Sequence, residues 1–146
     1  TVVDGGGQAV WAPVVRSDWD RSAKAERLQV LFAHSHHNCT HPKRPDWLAP
    51  GGDIYAILST DGGRSFGLPR AVRLNDRPKG DGSPPPAPLV IANKITSVPT
   101  GREGRDLWIL PFWRESRGEC GNKSEDFAGL LASHDQGGTW GELGPK

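Results

Sequence analysis

Three groups of residues in this chain have types and spacings that could do chemistry. The run His34-Ser35-His36-His37-Asn38-Cys39-Thr40-His41 sets four imidazoles and a thiol within one short stretch. In an extended chain His34 and His36 project to one side, and imidazole with thiolate suits zinc. No second ligand cluster follows, however, and the spacing fits neither a zinc finger nor a zincin. The run is therefore read as a polar loop that meets a ligand through His36, with no metal and no cofactor. The second group is a pair of aspartates, Asp61 and Asp135, each set among hydroxyls and glycines. Either could do acid–base or metal chemistry, but a carboxylate just after a strand can also close the turn that follows it. The third is Arg114-Glu115-Ser116-Arg117, whose guanidinium forks match an anion. Trp19 and Trp47 could stack on sugar rings or plug gaps in the fold.

The aspartates belong to a repeated signature. Ser59-Thr60-Asp61-Gly62-Gly63-Arg64-Ser65-Phe66 and Ser133-His134-Asp135-Gln136-Gly137-Gly138-Thr139-Trp140 both read S-x-D-x-G-x-[ST]-aromatic, with the aspartates 74 positions apart (135 minus 61). At ordinary residue frequencies, such a match arises by chance roughly once in 10⁵ to 10⁶ sites. A repeated unit signals a repeat architecture. Each box is expected to be structural: the carboxylate accepts backbone N–H groups of the turn, and the Ser or Thr hydroxyls add weaker bonds. Gly62, Gly63, Gly137 and Gly138 are expected to supply positive φ, and Phe66 and Trp140 to anchor the hairpin by burying a ring.

The elements that must carry these residues are short strands. Gly 19 and Pro 13 together make 32 of 146 residues, and apolar residues cluster in runs of a few positions between them. Residues 9–16, 28–34, 53–59 and 70–74 form one series, 75–86 a connector rich in Gly, Pro and charge, and 88–96, 107–113 and 127–133 a second series whose fourth strand is cut off. Residues 21–27 are polar on every face and read as a loop. Pro111, inside Leu107 to Trp113, is expected to mark a bulge or an edge. A net charge of +1 gives no sign of a nucleic-acid partner, and no apolar run is long enough for a membrane span. The fold class is all-β.

On these residues the chain resembles the Asp-box, or BNR-repeat, family of sialidase-like β-propellers, and the flanking Trp11-Ala12-Pro13-Val14 and Ala87-Pro88-Leu89-Val90 fit the same blade order. The resemblance implies a family fold of six four-stranded blades. About two fit here: blade one at 9–74, the connector at 75–86 and an incomplete blade two at 87–146, as one partial propeller over 1–146 that reads as a fragment. Two blades alone would leave apolar faces for the remainder of the propeller or a partner chain to cover.

Successive connections in such a sheet alternate between its ends. If the boxes mark one end, residues 34–52, 75–86 and 115–126 gather at the other, where the resemblance implies the substrate pocket. Cys39 and Cys120 then occupy equivalent loops and are expected to pair across the two blades. The sequons at Asn38 and Asn122 fall on that face as candidate glycosylation sites of a secreted protein.

For function, the resemblance implies a glycan-recognising propeller of the exo-glycosidase type that cleaves terminal sialic acid or a related sugar, the sialidases of the family using three arginines, an acid/base Asp and a Tyr nucleophile assisted by Glu. The catalytic set is not complete in this chain. Its only tyrosine, Tyr55, lies mid-strand and reads as packing, and the catalytic residues are unknown. Arg114, Glu115, Arg117 and His36 are the candidate substrate-binding residues. A glycan or glycoprotein is the expected partner. The alternative is a non-catalytic propeller domain for adhesion or assembly in an extracellular complex.

Overall fold

The computed structural model describes residues 9–20, 24–35, 39–41, 44–48, 51–75, 82, 85–101, 106–116, 120–121 and 126–143, and among them the chain is all-β with no helix. The strands of the N-terminal half are β1 (Val10–Asp20), β2 (Ala25–His34), β3 (Thr40–His41), β4 (Arg44–Leu48), β5 (Asp53–Ser59) and β6 (Arg70–Arg73). β1-β2-β5-β6 form an antiparallel sheet, with β3 and β4 as a separate ribbon between β2 and β5. The C-terminal half holds β7 (Leu89–Val90), β8 (Thr96–Val98), β9 (Leu107–Arg114), β10 (Phe127–Ser133) and β11 (Gly141–Leu143). These form a second antiparallel sheet in the order β11-β10-β9-β7, with β8 pairing the other end of β9. The two series of strands read from the sequence are thus two antiparallel sheets of four and five strands.

Several boundaries differ from expectation for physical reasons. β1 runs on to Asp20 and β2 begins at Ala25, inside the stretch 21–27 read as a loop, because Asp18 lies opposite Arg27 and the two form an ion pair at 2.7 Å that ties the extended ribbon; residues 21–23 lie outside the described residues. Pro111 causes no bulge in the β9–β10 ladder, where it lies opposite Leu130 in unbroken register. The interruption falls on the other side of β9. There β7 pairs Arg114 and Trp113, β8 pairs Ile109 to Leu107, and the chain between them leaves the ladder where a proline offers no donor. The loop at 34–52 contains the β3–β4 ribbon, and part of the fourth strand of the second series is present as β11.

The sheets pack face to face. β9 alternates half-buried and buried residues along its whole length, the period-two pattern of a strand with one face sealed. Trp108, Leu110, Phe112 and Leu131 from the second sheet meet Val14, Leu31, Ile54 and Ala56 from the first in one core cluster. The Val, Leu, Ile and Phe side chains among them each contribute about 1.5–3 kcal/mol on burial. Gly129 lies directly opposite Phe112, and its missing side chain leaves room for that ring.

Both boxes build the same network at the junction of the third and fourth strands. Ser59 Oγ donates to Asp61 Oδ1 at 2.7 Å and accepts the Gly63 N–H at 2.8 Å. Asp61 also accepts the Ser65 N–H at 3.0 Å and the Ser65 hydroxyl at 2.6 Å. Ser133 donates to Asp135 at 2.8 Å and accepts the Gly137 N–H at 2.7 Å, while Asp135 takes the Thr139 N–H and hydroxyl, both at 2.7 Å. Phe66 and Trp140 are half-buried, and Trp140 packs against the core cluster. One expectation is corrected. Gly138 is not among the positive-φ residues; the positive pair in the second box is Gln136 (φ 57) and Gly137 (φ 85), matching Gly62 (φ 72) and Gly63 (φ 87). The turn sets the conformation by position, so the second box holds a glutamine where the first has glycine.

The second box is also gripped by the first sheet. Gln29 Nε2 donates to the Gly137 carbonyl at 2.8 Å, Arg70 Nη2 reaches the same oxygen at 3.1 Å, and Arg27 Nη2 donates to the Gln136 carbonyl at 2.9 Å. Gly137 takes a positive φ of 85, and a Cβ there would lie 2.2 Å from Gln29 Oε1, so a larger residue would strain the turn and displace the Gln29 side chain.

The hydroxyl and N–H of Ser65, with the Ser59 hydroxyl, hold the Asp61 carboxyl well below the usual carboxylate range. At Asp135, burial pushes the pKa up, but the bonds from Thr139 and Ser133 outweigh it and the net direction is down. A carboxyl lowered on folding adds stability above its unfolded pKa, near 4, and loses it as pH falls toward the folded value. Wild type is therefore expected to unfold at steadily lower denaturant concentration below about pH 4. Asp61→Asn and Asp135→Asn should each be less stable at pH 7 and show a flatter acid limb; an unchanged limb in both variants would remove the boxes from the acid response.

Candidate functional site at the loop end

Three connections converge at the end opposite the boxes. The stretch after β2, the connector after β6 and the stretch after β9 are joined there by hydrogen bonds and one covalent bond. Trp11 Nε1 donates to Ser35 Oγ at 3.1 Å, and that hydroxyl donates to the Gly51 carbonyl at 2.6 Å. Gly52 N donates to the Leu89 carbonyl at 2.9 Å, an isolated bridge that brings the two sheets together. Gly52 has φ 150 and lies so close to the His34 carbonyl that a Cβ would stand 2.0 Å from it, so no other residue fits. Gly121 N donates to the Pro85 carbonyl at 2.6 Å beside a disulfide between Cys39 and Cys120, both buried and 81 positions apart.

Beneath these loops runs a buried polar chain. Asp53, 1% exposed at the start of β5, accepts the Asn75 N–H at 2.7 Å. The Asn75 side chain donates Nδ2 to the Ala87 carbonyl at 2.9 Å and accepts Arg114 Nη2 on Oδ1 at 2.7 Å. Arg114, 7% exposed at the end of β9, sets its guanidinium carbon 5.4 Å from the centre of the Phe127 ring. A buried aspartate and a buried arginine thus lie at the two ends of one asparagine, which links the first sheet, the connector and the second sheet. Opposite charges set so near one another offset part of the cost of removing each from water.

The candidate residues separate clearly. Arg114 ends β9 at the loop end, as expected, but its guanidinium is drawn into the inter-sheet chain rather than presented to solvent. Glu115 follows it, half-buried. Arg117, His36, Asn38 and Asn122 lie outside the described residues. Tyr55 packs mid-strand, stacked on Phe32 with ring centres 6.0 Å apart and edge-on to His34 at 6.1 Å. Cys39 is committed to its disulfide, and among the described residues no three His, Cys, Asp or Glu side chains converge to hold a metal. Trp19 is 62% exposed on β1.

Sequence reasoning missed Asp53, Asn75 and Ser35. Asp53 had a faint signal, a charge flush against the apolar run Ile54 to Leu58. Asn75 looked like the first residue of a polar connector, and only its neighbours in space give it a role. Among the described residues no helix is long and apolar enough to cross a membrane. No protein-family model, curated protein or solved structure matches the chain.

Two expectations follow from this site. Asn75→Ala strips Arg114 and the Ala87 carbonyl of a buried partner and should destabilise the fold by about 2–4 kcal/mol in urea denaturation, whereas the exposed control His134→Ala should cost less than about 0.5 kcal/mol. Cys39→Ser with Cys120→Ser frees a long loop in the unfolded chain and should lower stability by about 4 kcal/mol in the chain-entropy account. A double variant as stable as wild type would mean that the polar chain alone holds the loops.

Proposed function

We propose that this chain contributes two blades to a sialidase-like β-propeller whose loop end recognises a glycan. The observation that carries this reading is the pair of matching box networks. The same donors and acceptors recur at the same junction of the third and fourth strands in each sheet. Two antiparallel sheets packed face to face suit adjacent blades, and the convergence of three connections at the other end suits a ligand face. A buried disulfide and the sequons at Asn38 and Asn122 fit a secreted or extracellular glycoprotein.

Burial of Arg114 against Asn75 and Phe127 favours recognition or assembly over hydrolysis, since a pocket arginine must present its fork to the ligand carboxylate. Glu115, and Arg117 and His36 beyond it, are left as the groups that would touch sugar. The second reading, a non-catalytic domain serving adhesion or assembly, rests on the same burial.

A fluorogenic glycoside panel that includes a sialoside, run beside a glycan array, separates these readings. Binding without turnover, weakened at least tenfold by Glu115→Gln in a chain with an unchanged circular dichroism spectrum, supports glycan recognition. Turnover of any member supports the hydrolase form. Neither binding nor turnover sinks the glycan reading and leaves assembly.

A further inference from the structure

The strand registers let the two sheets be laid over one another residue by residue. Ser59 pairs with Leu28 and Ser133 with Trp108, and each serine opens a box. Four positions before each serine the sheets differ. In the first sheet Tyr55 stands opposite Phe32, and the two rings stack with centres 6.0 Å apart. In the second sheet the equivalent pair is Gly129 opposite Phe112. One ring of the pair is thus missing from the second repeat. Phe112 leans over the bare glycine backbone, where a Cβ would lie 2.8 Å from its ring carbons.

Beside this position a cleft of about 830 Å³ opens between β6 of the first sheet and β10 and β11 of the second. Phe112 and Leu131 seal its base, 1% and 0% exposed. Val72 and Trp140 line it as half-buried walls, and Phe127 and Leu143 stand at its rim, 41% and 45% exposed. Phe127 meets Phe112 edge-on, with ring centres 5.6 Å apart. Among the described residues the charged groups of the lining are Arg73 and Glu142, which pair with each other, so the cleft carries no net charge. Such a volume, with apolar walls and few polar groups, suits a small molecule. The cleft lies between the two sheets rather than on the outer face of either, so strands laid over those outer faces would leave it in place.

We propose that this cleft binds a neutral aromatic molecule of the phenol class, whose ring takes the part in the second sheet that Tyr55 plays in the first. An aromatic guest gains from edge-to-face contact with Phe127 and Trp140 beyond what its area supplies, and a saturated ring does not. A charged guest is disfavoured, because Arg73 and Glu142 are spent on each other and leave it no counter-ion. A hydroxyl is favoured. Glu142 gives one oxygen to Arg73 Nε, and a carboxylate accepts on both oxygens, so a phenolic O–H can donate to it at the mouth. The site lies apart from the loop end and does not depend on the glycan reading.

Titration of the isotope-labelled full chain with 4-methylphenol, the tyrosine side chain as a free molecule, tests this by nuclear magnetic resonance. The Trp140 indole N–H signal, identified by its loss in Trp140→Phe, is expected to shift saturably with a Kd of about 1 mM for so small a guest. Toluene, which lacks the hydroxyl, and 4-methylcyclohexanol, which lacks the aromatic ring, should each bind at least threefold more weakly. Leu143→Glu alters an exposed rim position and should weaken 4-methylphenol at least tenfold with an unchanged circular dichroism spectrum. Glu142→Gln should weaken 4-methylphenol and leave toluene unaffected, a difference that general loss of structure would not produce. No saturable shift at ten times the expected Kd overturns the proposal. So does a saturated ring or toluene that binds as tightly as 4-methylphenol, and so does wild-type affinity in Leu143→Glu, which would place the guest elsewhere.

Discussion

Everything in this molecule depends on the face-to-face contact of two sheets, neither of which can bury its apolar residues alone. Trp108, Leu110 and Phe112 gain their burial only because Leu31, Ile54 and Ala56 face them. The hydrophobic effect brings such faces together but does not orient them, since it scales with area and has no direction. Orientation comes from polar pins at the two ends. At the box end, Gln29, Arg27 and Arg70 hold the carbonyls of Gln136 and Gly137. At the loop end, Asp53, Asn75 and Arg114 form the chain that joins the sheets, and the disulfide closes over it.

At the box end there is also a stack of arginine on aromatic ring. The guanidinium carbons of Arg16 and Arg27 lie 4.9 and 5.8 Å from the centre of the Trp108 ring, which is itself almost fully buried. Arg27 is also bonded to Asp18, whose carboxylate raises its pKa against the opposing effect of burial. Positive charge is thereby tolerated beside an apolar core, since the ring face and the carboxylate replace part of the water that is lost. At the outer strands, Arg73 and Glu142 form a further bridge between β6 and β11. The two ends thus share a device: an arginine from one sheet satisfied by an oxygen beyond its own strand.

The boxes were legible because they are local. Every partner of Asp61 and Asp135 in the box lies within four positions of it, so residue types and spacing carry the whole network. The strand series was legible for a similar reason: period two and turn residues are properties of short segments. The loop-end site was harder to read. Arg114 stood out as a charged residue closing an apolar strand, and its position was read correctly, yet what it touches could not be. Asn75 lies 39 positions from Arg114 and 22 from Asp53, and nothing in the intervening sequence links them. Residues 25–27 were misjudged because strand limits depend on what lies opposite, here Asp18 across from Arg27, whereas Pro111 does interrupt pairing on one side of β9, at the split of β7 from β8.

By itself, then, the sequence determined the all-β class, the two repeated units and the staple that closes the last hairpin of each, since these rest on backbone geometry and contacts a few residues long. It also foresaw that Cys39 and Cys120 would meet, because strand alternation places their loops at one end. Only the tertiary structure decided which polar groups are spent on joining the sheets. Burial turned Arg114 from an exposed fork into an internal strut and gave Asn75 and Gln29 their roles. Such roles arise from desolvation, and desolvation is a property of the packed pair of sheets rather than of either segment.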